Sequence, residues 1–253
     1  MIRSASKRTI EYLLIDISNS YTKIAFSRKA RISRPLRIST DQLTSRMLNQ
    51  YLRGKQIHTI VVCSVVPAKN AAVKKAAGAT EILWLNARLK LGVEIDYPKP
   101  NSIGADRLAN AAAVTKLYGY PAIVVDFGTA VTFDIISSRG AYIGGVIAPG
   151  LEAMTNFLYQ RTALLPRLSL REPKSAVGKS TRDAMISGAV FGYRGLVCEI
   201  IARIKSEQFP RDQVKIVATG GYAQLIAARI PAIQSVHPNL TLEGLRLVAN
   251  LNV

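Results

Sequence analysis

The sequence predicts an α/β protein of two similar halves, each a mixed β-sheet flanked by helices. Three observations predict it. A strand–turn–strand unit occurs twice, with its aspartates Asp16 and Asp126 lying 110 positions apart in a chain of 253 residues. Strand patterns alternate with helical ones through both halves. Hydrophobic residues make up 49% of the chain and charged residues 20%, the balance of a folded globular protein and not of a disordered one. A period of this size is too long for a solenoid, whose repeats run to roughly 20–50 residues. It suggests paired domains, 1–118 and 119–253, with the boundary near Tyr118 to Pro121.

The elements follow in order. Tyr12 to Asp16 is an apolar strand, Ile17 to Ser20 a turn of small polar residues, and the segment to Phe26 a second strand of alternating pattern. Residues 57–66 read as a buried strand ending at Pro67, 68–77 as a helix, 81–85 as a strand and 105–118 as an alanine-rich helix. In the second half, Ala122 to Asp126, a turn at Gly128-Thr129 and a strand to Ile136 repeat the opening unit. Ala141 to Ile147 is a strand, and Pro149-Gly150 opens a helix to about Arg161. A long helix from about Arg182 to Glu207 follows, then a strand from Val214 to Ala218, the turn Thr219-Gly220-Gly221 and a helix from about Tyr222 to Arg229.

Charge and cysteine content narrow the class. Lys and Arg number 34 against 16 acidic residues, a net charge of +18. About half the excess lies in the first fifth of the chain, and it is densest at Arg28, Lys29, Arg31, Arg34 and Arg37. That stretch is either a solvated basic edge or a patch for nucleic acid or an anionic surface. The poor aromatic interleaving and the lack of any nucleic-acid module do not favour nucleic acid. Cys63 and Cys198 stand apart among apolar residues, as buried free thiols would, and His58 and His237 are isolated, so no metal cluster is expected at these positions. Free thiols suit a reducing compartment, hence a cytoplasmic protein. Met1 to Thr9 is basic like the start of a signal peptide, but the apolar stretch after it stops at Asp16. No secretory signal is read, and no apolar run approaches the roughly 18 residues that span a bilayer.

The repeated unit carries chemistry. A turn of small residues exposes backbone N–H groups in a concavity suited to phosphate oxygens. An aspartate at the strand end can hold a cation or its water shell beside it. Two such turns opposed across a cleft would grip a nucleoside triphosphate. Ser102-Ile103-Gly104-Ala105-Asp106-Arg107 enters the alanine-rich helix. Asp106, in its first turn, is either a carboxylate favoured there by the helix dipole or the acceptor for an attacking hydroxyl. Arg107 could bind a substrate carboxylate through its planar fork.

In order and spacing these segments resemble the type III pantothenate kinase family from about Tyr12 to Asn250. The matching motifs are Asp16-x-x-Asn19-Ser20-x-x-Lys23, Ser64-Val65-Val66-Pro67, Gly104-Ala105-Asp106-Arg107 and Asp126-Phe127-Gly128-Thr129-Ala130. They continue through Gly144-Gly145-x-Ile147-x-Pro149-Gly150, Thr162-Ala163-x-Leu165-Pro166, Gly178-Lys179-Ser180-Thr181, Thr219-Gly220-Gly221 and Leu242-x-Gly244-Leu245. The resemblance implies two RNase H-like (actin-like ATPase) domains with a nucleotide cleft between them. It also implies ATP-dependent phosphorylation of pantothenate, the first step of coenzyme A biosynthesis. By the same resemblance Asp16, Ile17, Ser18, Asn19, Ser20, Tyr21, Thr22 and Lys23 hold the phosphates of Mg-ATP, and Thr129 is a further ATP contact. Asp106 is the general base; Tyr97, Gly104, Ala105, Asp106, Arg107 and Thr181 contact pantothenate; Asp126 binds a monovalent cation, K⁺ or NH₄⁺. A homodimer is implied, with no membrane partner.

Two departures from the family pattern stand out. The family's phosphate loop reads Asp-x-Gly-Asn-Thr, where this chain has Asp16-Ile17-Ser18-Asn19-Ser20. A serine in place of a glycine with φ > 0 would be strained by about 1 kcal/mol or more, and otherwise would narrow the phosphate site. The other departure is the basic N-terminal extension of about ten residues. Together they keep open an alternative, a regulatory or nucleic-acid-associated protein on the same scaffold with weakened catalysis.

Overall fold

The computed structural model describes residues 10–253. The basic segment Met1 to Thr9 lies outside the described residues. The chain forms two compact units.

Unit 1 is built on a six-stranded sheet. Its strands are β1 (Ile10–Ile17), β2 (Tyr21–Arg28), β3 (Arg31–Ile32), β4 (Leu36–Ser39), β5 (Ile57–Ser64) and β6 (Glu81–Trp84). The order is β3-β2-β1-β5-β6, with β4 pairing β2 alongside β3. β1 and β2 are antiparallel, as are β2 and its two outer partners, whereas β1, β5 and β6 run parallel. α1 (Ser45–Leu52) starts at Thr44, whose side chain accepts the N–H of Met47 and so satisfies one open donor of the first turn. α2 (Pro67–Ala77) starts with proline, whose missing N–H costs nothing there. One core gathers Leu13, Ile15, Ile17, Ile24, Ile60 and Val62 from the sheet with Leu48 and Val73 from the helices.

Unit 2 repeats the strand order. Its strands are β7 (Glu94–Ile95), β8 (Ala122–Phe127), β9 (Ala130–Ile136), β10 (Ala141–Pro149), β11 (Lys215–Thr219) and β12 (Ser235–Val236), in the order β12-β11-β8-β9-β10-β7. β8 takes the place of β1, β9 of β2, β11 of β5 and β12 of β6, with the same parallel and antiparallel relations. β8 is buried from Ala122 to Val125, as expected of a central strand covered on both faces.

α3 (Ala105–Tyr118) contributes Ala105 to Ala113 to unit 1, and unit 2 resumes at Val114. α4 (Leu151–Arg161), α5 (Thr181–Gln208) and α6 (Ala223–Ala227) belong to unit 2. α7 (Leu240–Asn252) returns to unit 1 from Thr241 onward, where the Thr241 hydroxyl donates to the Asn110 side-chain oxygen at 2.9 Å inside the core. The units are therefore not consecutive halves. Unit 1 holds the described residues up to Gly92 with Lys99–Ala113 and Thr241–Val253, and unit 2 holds Val93–Pro98 with Val114–Leu240.

α5 corrects one expectation, that Cys198 is buried. At 28 residues it is long and apolar enough to cross a membrane by length and composition. Its apolar stripe, Ile186, Val190, Tyr193, Val197, Ile201 and Ile204, instead repeats at helical spacing and is buried in the core of unit 2. Cys198 lies off that stripe and is exposed, whereas Cys63 is buried; both are free thiols.

Candidate active site

In unit 1 the β1–β2 hairpin sets the first group of residues. Asp16 and Ile17 are buried at the end of β1, and the chain emerges at Asn19 and Ser20, which are exposed. The Ser18 N–H donates to the Tyr21 carbonyl at 3.2 Å and closes the turn. Among the described residues no non-glycine has positive φ, so Ser18 carries no left-handed strain. Its hydroxyl folds back and donates to Asp16 Oδ1 at 3.2 Å. The serine thus becomes a partner of the carboxylate that the turn presents.

A residue that sequence reasoning passed over holds this turn in place. Thr40, buried just after β4, donates its hydroxyl to the Ser18 carbonyl at 2.6 Å and its backbone N–H to the Ser20 carbonyl at 3.1 Å. Its hydroxyl also lies 3.0 Å from that of Thr22, which is fully buried. Because the one Thr40 hydroxyl proton goes to Ser18, Thr22 is the donor in that pair.

Gly104 to Arg107 also belongs to unit 1, at the start of α3. The half-buried Asp106 carboxylate accepts the Arg107 N–H at 2.9 Å, a first-turn donor that it shares with the Gly104 carbonyl at 3.1 Å. A Cβ on Gly104 would sit 2.5 Å from Asp106 Oδ1, so the glycine is what leaves room for the carboxylate. Loss of water around Asp106 raises its pKa above the ordinary aspartate value, against the smaller lowering by the Arg107 N–H and charge. A carboxylate made more basic in this way is a better proton acceptor.

In unit 2 the β8–β9 hairpin repeats the first. Asp126 ends β8, and Gly128 N–H donates to the Ala130 carbonyl at 3.0 Å. Two glycines press against this turn. A Cβ on Gly150 would fall 2.1 Å from the Thr129 carbonyl oxygen and 2.8 Å from that of Gly128. Gly220 has φ +93°, and a Cβ there would lie 2.6 Å from both Asp126 Oδ1 and the Phe127 backbone. The Tyr193 hydroxyl donates to the Pro149 carbonyl at 3.3 Å, and burial pushes its pKa up to about 12. Thr129 is exposed at the tip.

Tyr97 falls in unit 2 and not with Gly104 to Arg107. β7 pairs with β10, the Tyr97 ring meets Tyr142 edge-on at 6.2 Å between centroids, and Gly144 at φ +129° lies against it. Thr181 is the exposed first residue of α5. The Ser180 side chain before it accepts the Asp183 N–H at 3.1 Å, and the Gly178 backbone packs on Asp183 and Ala184. A groove of about 260 Å³ beside it is lined by Arg171, Lys174, Val177, Gly178, Lys179 and Asp183. A second groove, of about 550 Å³, runs past Gly221 and Tyr222 to Leu170, Glu172, Leu225 and Arg229.

One strand order used twice, with an aspartate at the first hairpin of each sheet, defines the class of actin-like and sugar-kinase-like ATPase folds. Solved structures agree on that fold. A Campylobacter jejuni protein assigned to the Baf family of transcriptional activators superposes with a TM-score of 0.61 at 22% identity, over 94% of this chain and 97% of that one. An archaeal actin homologue superposes with a TM-score of 0.54 at 12% identity, over 95% and 99%. Sequence comparison is narrower. The family model for type III pantothenate kinase matches residues 12–203. Proteins named type III pantothenate kinase from Akkermansia muciniphila and Methylacidiphilum infernorum are 48% and 41% identical, over 96% and 94% of this chain and 99% and 88% of theirs. The chain belongs to the type III pantothenate kinase family.

Proposed function

We infer that the chain transfers the γ-phosphoryl group of ATP to the primary hydroxyl of pantothenate, giving ADP and 4′-phosphopantothenate, the first step of coenzyme A biosynthesis. The observation that carries this reading is Asp106. Within a kinase family, a desolvated carboxylate at a helix start, with a glycine reserved beside it, suits the acceptor of a hydroxyl proton. Asp106 orients the hydroxyl and takes its proton as the new O–P bond forms. In a loose transition state the rest of the catalysis comes from positioning and from charge around the phosphates. Arg107 offers a planar fork for the pantothenate carboxylate. Gly104, Ala105, Tyr97 and Thr181 complete the substrate contacts.

Asp16 to Lys23 and Thr129 are assigned to the ATP phosphates, which carry Mg²⁺ with them. The groove beside Gly221 and Tyr222 suits the adenosine. At Asp126 the donor chemistry fits a monovalent cation. Among the described residues no group of three His, Cys, Asp or Glu side chains gathers to cage a metal, and the neighbours of Asp126 are glycine-rich backbone. K⁺ or NH₄⁺ held there would offset phosphate charge. A homodimer is supported by apolar side chains exposed on unit 2: Ile147, Phe157, Leu158, Leu164 and Val177, of which Leu164 is 90% exposed. A cytoplasmic location fits two free thiols. The regulatory alternative is not favoured, because relatives above 40% identity over nearly the whole chain are named as kinases.

The test is a coupled assay of ADP release with and without pantothenate, in K⁺ and in Na⁺. Turnover that requires pantothenate and is faster in K⁺ is expected. ADP release indifferent to pantothenate would overturn the assignment.

A further inference from the structure

Strand register places a row of charged side chains across the sheet of unit 1. Asp16 of β1 is opposite Lys23 of β2, and Lys23 is opposite Arg37 of β4. Directly paired residues share a face of the sheet. The flanking Leu36 and Ile38 pack toward the core on the other face, which confirms the side on which Arg37 stands. Tyr21, two residues before Lys23, shares that face, and the Arg37 guanidinium lies 3.4 Å from its ring centroid.

Two features make this row more than a basic edge. Lys23 and Arg37 are like charges set directly opposite one another; Asp16 stands beside Lys23 on its other side, whereas Arg37 is at the outer end of the row, away from that carboxylate. Stacking on Tyr21 also fixes the guanidinium plane while using only its π face, so its N–H donors stay directed around the rim. Among the described residues Arg37 makes no ion pair and no hydrogen bond to a protein acceptor. Arg28, Lys29, Arg31 and Arg34, the other cations of this edge, are outside the row.

We propose that Arg37, held flat by Tyr21, is a second cationic contact for the nucleotide polyphosphate, extending the loop from Asp16 to Lys23 onto β4. This rests on the kinase reading above and adds to it a residue from outside that loop. The guanidinium would donate to phosphate oxygens, so its contribution grows with the number of phosphates.

Calorimetric titration of the purified protein with MgATP, MgADP and AMP tests this. Arg37→Gln is expected to weaken MgATP binding about 10- to 100-fold, the size of a lost charge-assisted contact, and to leave AMP binding unchanged. Tyr21→Leu, which removes the stacking surface, weakens MgATP by less. Arg34→Gln removes the same charge from an exposed site off the row and stays within about twofold of the parent, as screening of distant surface charge requires. MgATP affinity of Arg37→Gln equal to the parent's would overturn the proposal, as would an equal loss for AMP or an equal loss in Arg34→Gln. A parent protein that binds no MgATP would overturn the kinase reading and this inference together. A parent that binds it, beside an unaffected Arg37→Gln, would overturn the role of Arg37 alone.

Discussion

Replacing Thr40 by valine keeps the shape of the side chain and deletes one hydroxyl. That hydroxyl donates to the Ser18 carbonyl at 2.6 Å and accepts from the fully buried Thr22 hydroxyl at 3.0 Å. Two hydrogen bonds are lost, each with a net worth of about 1 kcal/mol, and the buried Thr22 hydroxyl is left without its acceptor at a further cost of about 1–2 kcal/mol. The sum is about 3–4 kcal/mol, which at roughly 3 °C per kcal/mol for a chain of this size lowers Tm by about 9–12 °C. The Thr40 N–H still reaches the Ser20 carbonyl, so the turn loosens without being released. Its backbone donors would meet phosphate less well aligned, and the KM for ATP is expected to rise about three- to tenfold. Thermal melts and initial rates measure both effects. Thr40→Ser, which restores the hydroxyl and loses a methyl group, should recover most of the Tm at a residual cost of about 1 kcal/mol. A Thr40→Val protein melting within about 2 °C of the parent, with unchanged KM, would refute the claim that this hydroxyl holds the turn.

Further outcomes follow from the same geometry. Asp106→Asn should lose at least about 10²-fold in kcat, read in the coupled assay. Because the folded-state pKa of Asp106 is raised, its effect on stability is favourable below the unfolded aspartate value and is lost as pH rises through the folded value. At neutral pH the ionised group is a net cost, so Asp106→Asn should melt at or above the parent's Tm, and a drop of more than about 4 °C would contradict that sign. Gly150→Ala forces a methyl group to within 2.1 Å of the Thr129 carbonyl oxygen; displacement of the turn should cost about 1–3 kcal/mol and weaken ATP binding, and a calorimetric titration giving parental affinity would refute the packing argument. Glu172 accepts two hydrogen bonds from the nearly buried Arg194, at 3.0 and 2.6 Å, which hold its pKa below the ordinary glutamate value. The stability it supplies is present above that ordinary value and is lost as pH falls through the lowered one. Glu172→Gln should therefore lower Tm at neutral pH and reduce the difference from the parent in acid, checked by melts across the acid range.

What the sequence made legible was local. The two hairpins read correctly because a run such as Ala122-Ile-Val-Val ending in Asp126 is both apolar and sharply punctuated. The helix at 105–118 read correctly because alanines sustain it without a breaker. α1, β3, β4, β7, β12 and α7 were not read. β7 and β12 are two residues each, below any periodic signal. In α7 the glycine at position 244, which costs about 1 kcal/mol in a helix, hides the helical pattern. The structure gives the glycine its reason: a Cβ there would lie 2.0 Å from the Ala109 carbonyl oxygen, so α7 reaches α3 only without one. The parts of the site that stayed hidden are contacts between residues 16 to 22 positions apart: Arg37 on Tyr21, Gly150 on Thr129 and Thr40 on Ser18. The partner in each is fixed by strand pairing, which a single sequence does not display. Cys198 was misplaced for a related reason, since apolar neighbours along a long helix do not say which of them turns inward.

The return of the chain from unit 2 to unit 1 has a consequence for biogenesis. α7 seats Thr241 on Asn110 and Gly244 on Ala109, while Arg246 and Asn250 both donate to the Lys29 carbonyl. Unit 1 therefore waits, with the Ala109 and Asn110 turn of α3 uncovered by its partner helix, until Val114–Leu240 of unit 2 has been translated. Damage to α7 would be felt in the fold of unit 1, and a nascent chain paused before α7 would be a natural client for chaperones.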